Sequence, residues 1–236
     1  MTVLLVLLTL ILFLASDHFV QKYRARSLQG AYQATGGGRV SMQPPISFPG
    51  DISLATNHTW IRNNPDGTVT IGFDEFLSRL VGAVEEISLP RSGDPVVPAT
   101  AGIEVRSQGR ALRVTTALHG DVVGSNSEVL RDPSLVLSDP YGKGWLMRVR
   151  TRVDAAENPG QFMVRRPVEW LGEQMALVRD FLAFHSPQGQ ALVLQEGGLP
   201  TEGVLQQFDE TVWKDFGISF ASLQKIKDPQ CEEVRR

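Results

Sequence analysis

The 236 residues are 42% hydrophobic and 21% charged, enough for one core of ordinary size with appendages, or for two small domains. A formal charge of -3 supplies no global basic field, which excludes an electrostatically driven nucleic-acid binder. The single cysteine, Cys231, cannot close an internal disulfide, and with four scattered histidines it forms no Cys/His zinc cluster.

The chain opens on Val3 to Ala15, apolar except for Thr9, followed by Ser16-Asp17-His18-Phe19-Val20 and the basic Lys22, Arg24 and Arg26. A signal peptide would carry basic residues before the run and small residues at a cleavage site. A buried core helix would show a polar stripe. Counting through Val20 reaches the roughly 20 residues that a membrane span requires. Residues 1–21 therefore read as a single transmembrane anchor, and the basic cluster places the rest of the chain on the cytoplasmic side. Residues 22–55 read as a flexible linker, with Gly36-Gly37-Gly38, then Pro44, Pro45, Pro49 and Gly50. The triple glycine lacks the Lys-Ser/Thr pair of a phosphate loop.

A small β domain is expected over residues 56–153. Thr59 to Arg62 and Thr68 to Phe73 are β-rich and flank the turn Asn64-Pro65-Asp66-Gly67. Asp74 is placed to cap a short helix through Leu80, and Val84 to Leu89 is strand-like. Gly93-Asp94-Pro95-Val96-Val97 then recurs as Gly120-Asp121-Val122-Val123, and each copy predicts a tight turn opening a strand. Between the copies, Ala101 to Ser107 and Ala111 to Thr116 are hinged at Gln108-Gly109-Arg110. Two similar halves meeting at an exposed hairpin predict a flattened barrel with pseudo-twofold symmetry. A helix near Ser127 to Leu130, the turn Asp139-Pro140-Tyr141-Gly142 and the strand Trp145 to Val149 complete the domain. Residues 154–236 read as a helical extension. Pro167 to Phe184 and Thr201 to Phe216 carry apolar residues at helical spacing, and both need an apolar surface to cover.

The residues of 58–150, taken in order, resemble the glycine cleavage H protein family. His58-Thr59-Trp60 with Asp66-Gly67 is similar to its opening, and Ile87-Ser88-Leu89-Pro90 with Gly93 to a following segment. Gly120-Asp121-Val122-Val123 with Asn126 resembles the stretch after its lipoyl hairpin. Asp139-Pro140-Tyr141-Gly142-Lys143-Gly144-Trp145 resembles its most distinctive run. The resemblance implies a mainly β domain with helices, the barrel-sandwich hybrid of lipoyl and biotinyl domains. It also implies a hairpin lysine that carries lipoate through an amide. Counting back from Gly120, that position falls on Gly109, and the family's preceding glutamate becomes Arg106. No lysine occurs between Lys22 and Lys143. The guanidinium of Arg110 stays protonated and cannot be acylated.

These residues leave no catalytic group, metal site or cofactor to expect, and the usual nucleophile-elbow, metallohydrolase and dinucleotide motifs are absent. His58 and Trp60 are expected to pack rather than react. Asn57-His58-Thr59 fits the glycosylation pattern, which matters only in a translocated domain. The function expected is a non-lipoylated, membrane-anchored docking or scaffold subunit with a protein partner. Its docking hairpin would comprise Arg106, Gln108, Gly109, Arg110 and Arg113, an exposed basic face. The alternatives are an inactive accessory of glycine cleavage or a related lipoate-dependent system, and a small-molecule binder or enzyme with a pocket between barrel and C-terminal helices.

Overall fold

The computed structural model describes residues 46–98, 101–151, 162–186 and 201–223. The anchor read over residues 1–21 lies outside them. Among the described residues no helix is long and apolar enough to cross a membrane.

Among the described residues, nine strands form two antiparallel sheets. β1 (Ser53–Leu54), β2 (Thr59–Asn63), β3 (Thr68–Phe73), β5 (Pro95–Val96), β8 (Gly120–Ser125) and β9 (Trp145–Thr151) make the larger sheet, in the order β1-β2-β3-β9-β8-β5. β4 (Glu86–Ser88), β6 (Ala101–Ser107) and β7 (Arg110–Thr115) make the smaller one, in the order β4-β6-β7. Alternate residues of both sheets turn inward. Ile61, Ile71, Met147 and Val149 from one share a core with Ile87, Ile103, Val105, Leu112 and Val114 from the other.

The turn chemistry agrees with the residues that occupy it. Between β2 and β3, Asp66 accepts from the amide and hydroxyl of Thr68, and Gly67 takes φ 76°. The two Gly-Asp copies lie against each other, with Pro95 opposite Asp121 and Val96 opposite Gly120. Gly93 N donates to Val122 O and Val122 N to Asp94 O, so the repeat is realised as an antiparallel pair.

Short helices close the ends. α1 (Glu75–Val81) is capped by Asp74, which accepts from Leu77 N at 2.8 Å. α2 (Ser127–Arg131) is capped by Asn126, whose amide also donates to Lys143 O and Trp145 O. α3 (Leu135–Ser138) leads into the Asp139 turn. There Trp60 lies flat over Gly72, where a Cβ would collide with the indole. Its Nε1 donates to Pro140 O at 3.0 Å. Glu75 N donates to the Tyr141 hydroxyl, and burial pushes that phenol well above its ordinary range, with the Asp74 charge adding to the effect.

Two expectations need correcting. The linker expected to run through residue 55 ends earlier, because Ile46, Leu54 and Ala55 are buried and β1 pairs with β2. The hydrophobic run after Thr201 is two elements, not one helix. A 3₁₀ turn over Val204–Gln207 stops at Phe208, and Asp209 restarts the chain as α5 (Glu210–Ser219) by accepting from Val212 N. The stop at Phe208 and the Asp209 cap directly after it outweigh the shared apolar spacing.

The C-terminal third packs onto the sheets. α4 (Pro167–His185) buries Leu171, Val178 and Leu182. Just before it, Thr56 N donates to Phe162 O and Val164 N to Leu54 O, which closes the outer edge of β1. α5 buries Trp213 and Phe216 in the common core, and the chain beyond it meets β7 where Thr115 N donates to Ala221 O. Edges left open invite pairing with other chains; at β1 and at the Thr115 end of β7 the chain covers them itself.

Candidate functional site

The hairpin singled out by the sequence is β6–β7. Ser107 pairs with Arg110 across a two-residue loop. Gln108 and Gly109 take φ 49° and 74°, the left-handed region at both central positions that a tight primed turn requires. A Cβ at Gly109 would meet nothing within 4 Å, so the tip looks onto open space with no side chain to extend.

The five hairpin residues stand close together, but they do not form a free basic face. Arg106 Nη2 lies 2.7 Å from Glu104, and Arg113 Nε 3.1 Å from the other oxygen of the same carboxylate. The Arg113 hydrogen bond, then the Arg106 charge, hold the Glu104 carboxyl below its ordinary range. The composition of the strand accounts for this. Glu104 and Arg106 alternate onto one face, and Glu104 sits directly opposite Arg113.

On the other side of the hairpin, Gln108 Nε2 donates to Gln206 Oε1 at 3.1 Å and Arg110 Nη1 to Gln206 O at 3.0 Å. Gln206, from the 3₁₀ turn, had no signal in the sequence, because its partners lie nearly a hundred residues away. Its Nε2 also reaches Val81 O, Ala83 O and Ser107 Oγ. Between the hairpin and α5 runs a groove of about 610 Å³, bordered by Arg106, Gly109, Arg113, Glu210, Lys214 and Ile218. This space between sheet and C-terminal helices has the size that a small ligand of ordinary dimensions fills. Two of its carboxyls are held below their ordinary range, Glu210 by the hydrogen bond from Lys214 and Glu104 by that from Arg113.

A second polar cluster lies at His58. The ring is fully buried at φ 61°, with Nδ1 2.8 Å from Asp74 Oδ2. Phe76 and Trp170 flank it at ring-centroid distances of 5.0 and 4.7 Å, and Nε2 meets no hydrogen-bond partner. No hydroxyl or thiol is hydrogen-bonded to it, so the nucleophile–base geometry of acyl transfer is missing. His58 and Trp60 both sit in packed surroundings. Asn57 is also fully buried; its amide donates to Thr115 O at 2.6 Å and its oxygen accepts from Thr59. The glycosylation pattern is thus committed to the core of the folded domain. Among the described residues no three His, Cys, Asp or Glu side chains are grouped to hold a metal ion.

Comparison with known proteins adds a lineage to this geometry. The family model described as "Glycine cleavage H-protein" matches residues 52–166. The glycine cleavage system H protein of Pseudoalteromonas atlantica is 37% identical over 114 residues, covering 48% of this chain and 88% of the relative. That of Alteromonas mediterranea is 36% identical over 114 residues, with the same shares of 48% and 88%. Among solved structures, a glycine cleavage system H protein from Mycobacterium marinum aligns with a TM-score of 0.47 and 27% identity. That alignment covers 54% of this chain and 98% of the other. Through its β domain, the chain belongs to the glycine cleavage H-protein family.

Proposed function

We propose that the chain is a membrane-anchored H-protein-like docking subunit that no longer carries lipoate. One observation carries the reading: the hairpin tip is Gln108-Gly109, and no lysine occurs from β1 to Lys143. Lipoate attaches through an amide to a primary amine, and neither β6 nor β7 holds one. Lys143 is exposed in the Asp139 turn, beyond the hairpin. Two antiparallel sheets around one core support the barrel-sandwich hybrid as the architecture of the β domain.

The apolar run of residues 1–21 supports an anchor, and the Gly/Pro-rich stretch before residue 46 supports a tether on the cytoplasmic side. Arg106, Gln108, Gly109, Arg110 and Arg113 form the docking hairpin in this reading. Glu104, with Glu86 3.8 Å from Arg106, offsets part of its three guanidinium charges, so shape as well as charge selects the partner protein. No cofactor enters the role.

The test is the intact mass and size of the chain extracted from membranes of a lipoylating cell. Unmodified mass in a complex of fixed stoichiometry is the expected result. A lipoyl adduct sinks the non-carrier reading, and a uniform free monomer sinks the docking role. The 37% identity across 88% of a glycine cleavage H protein favours one second reading, an inactive competitor for docking in that system. Glycine cleavage unaffected by a large excess of this chain removes it.

A further inference from the structure

We infer that Thr201–Leu223 is an intramolecular strap that occupies the flank of the β6–β7 hairpin and closes it to protein partners. The strap grips at three points. Gln206 joins the hairpin tip to the end of α1, donating to Val81 O, Ala83 O and Ser107 Oγ while accepting from Gln108 and Arg110. Trp213 and Phe216, both fully buried, seat α5 beside β7. Past α5, Ala221 O takes the outward amide of Thr115, and Leu223 N donates to the Thr115 hydroxyl. At Thr115 the edge of β7, where an extended peptide would add as a further strand, is taken by the chain itself.

Between these grips a groove of about 610 Å³ separates the hairpin from α5, and a Cβ at Gly109 meets nothing within 4 Å. A macromolecule that clasps the hairpin must therefore displace the strap, whereas a small molecule that enters the groove need not. The inference rests on the strap contacts alone and does not require the docking role.

Hydrogen exchange on the intact chain tests it first. The Thr115 amide should exchange as slowly as amides inside β3 and β9. Gln206→Ala should accelerate it and the amides of Ser107 to Arg110 by about tenfold or more, leaving β3 and β9 unchanged. Fast exchange at Thr115 in the unaltered chain, or no change in Gln206→Ala, overturns the strap.

Access is tested by adding Gly109→Lys as a reporter. A lipoate–protein ligase transfers the lipoyl group from lipoyl-AMP to the introduced amine, releasing AMP; N-hydroxysuccinimidyl acetate acylates the same amine with a small reagent. The small reagent should react alike with Gly109→Lys and with the Gly109→Lys, Gln206→Ala pair. The ligase should modify the pair about tenfold faster. Equal ligase rates, whether fast or nil, overturn the closure.

Discussion

Two corners of the molecule are shut by the same device. At one, Trp60 is fully buried and its indole donates to Pro140 O; at the other, Trp213 is fully buried and donates to Leu205 O at 2.8 Å. The first cover comes from the Asp139 turn, inside the stretch matched by the family; the second comes from beyond residue 166. The difference is one of dependence. The Trp60 corner stitches β2, β3 and the turn before β9 into one body, so its loss should reach the whole fold. The Trp213 corner lays an added layer over sheets that already pair without it, so its loss should be felt first along β7.

The largest effect should come from Trp213→Ala, about 3–5 kcal/mol for deleting a fully buried aromatic. Urea unfolding would measure it. The comparison holds if amides of β7 gain exchange well before those of β3, and breaks if both open together. Gly72→Ala sharpens the other side. Its Cβ would push into the Trp60 ring, and overpacking of that kind costs about 1–3 kcal/mol. The loss should appear in the global unfolding midpoint, with β3 and β9 exchanging faster; a neutral variant would mean that the indole shifts freely.

Gln206→Ala should cost about 1 kcal/mol, because water can replace part of what its side chain supplies at the hairpin tip. The smallest effect is expected at Glu104. Its carboxyl is held low by Arg113 and then Arg106, so the folded state favours the charged form. That stabilisation is complete above the ordinary carboxylate value of 4.5 and is lost as pH falls below it. Arg113→Ala should flatten that acid-side loss in a series of unfolding midpoints against pH. The change should stay within about 0.5 kcal/mol, since Arg113 is largely exposed. A larger change would show that the Glu104 cluster matters to the strap as well.

Much of the first corner could be read from the residues, because its signals are local. Asp66-Gly67, the cap at Asp74, the Asn126 cap and the Asp139 turn each act within a few positions. The second corner depends on contacts between distant segments. Gln206 is an ordinary polar residue whose role appears only when the tip of β6–β7 and the end of α1 converge on it. The pairing of Arg106 and Arg113 with one carboxylate was partly legible, since Glu104 and Arg106 alternate on one strand. A reading that counts arginines without their strand neighbours finds a basic face where an ion-paired one stands. The break at Asp209 was legible too: Asp209-Glu210 is a helix start, masked by apolar spacing that runs straight through it.

The two buried indoles also make the chain its own optical instrument. Of its four tryptophans, Trp145 and Trp170 are partly exposed, whereas Trp60 and Trp213 are dry and hydrogen-bonded to single carbonyls. Of the two, only Trp213 sits in the strap, so a red shift seen in the unaltered chain and absent from Trp213→Phe reports on the strap. Any partner, protease or change of solvent that lifts the C-terminal layer would then be seen as a red shift, without a label and with the rest of the fold intact.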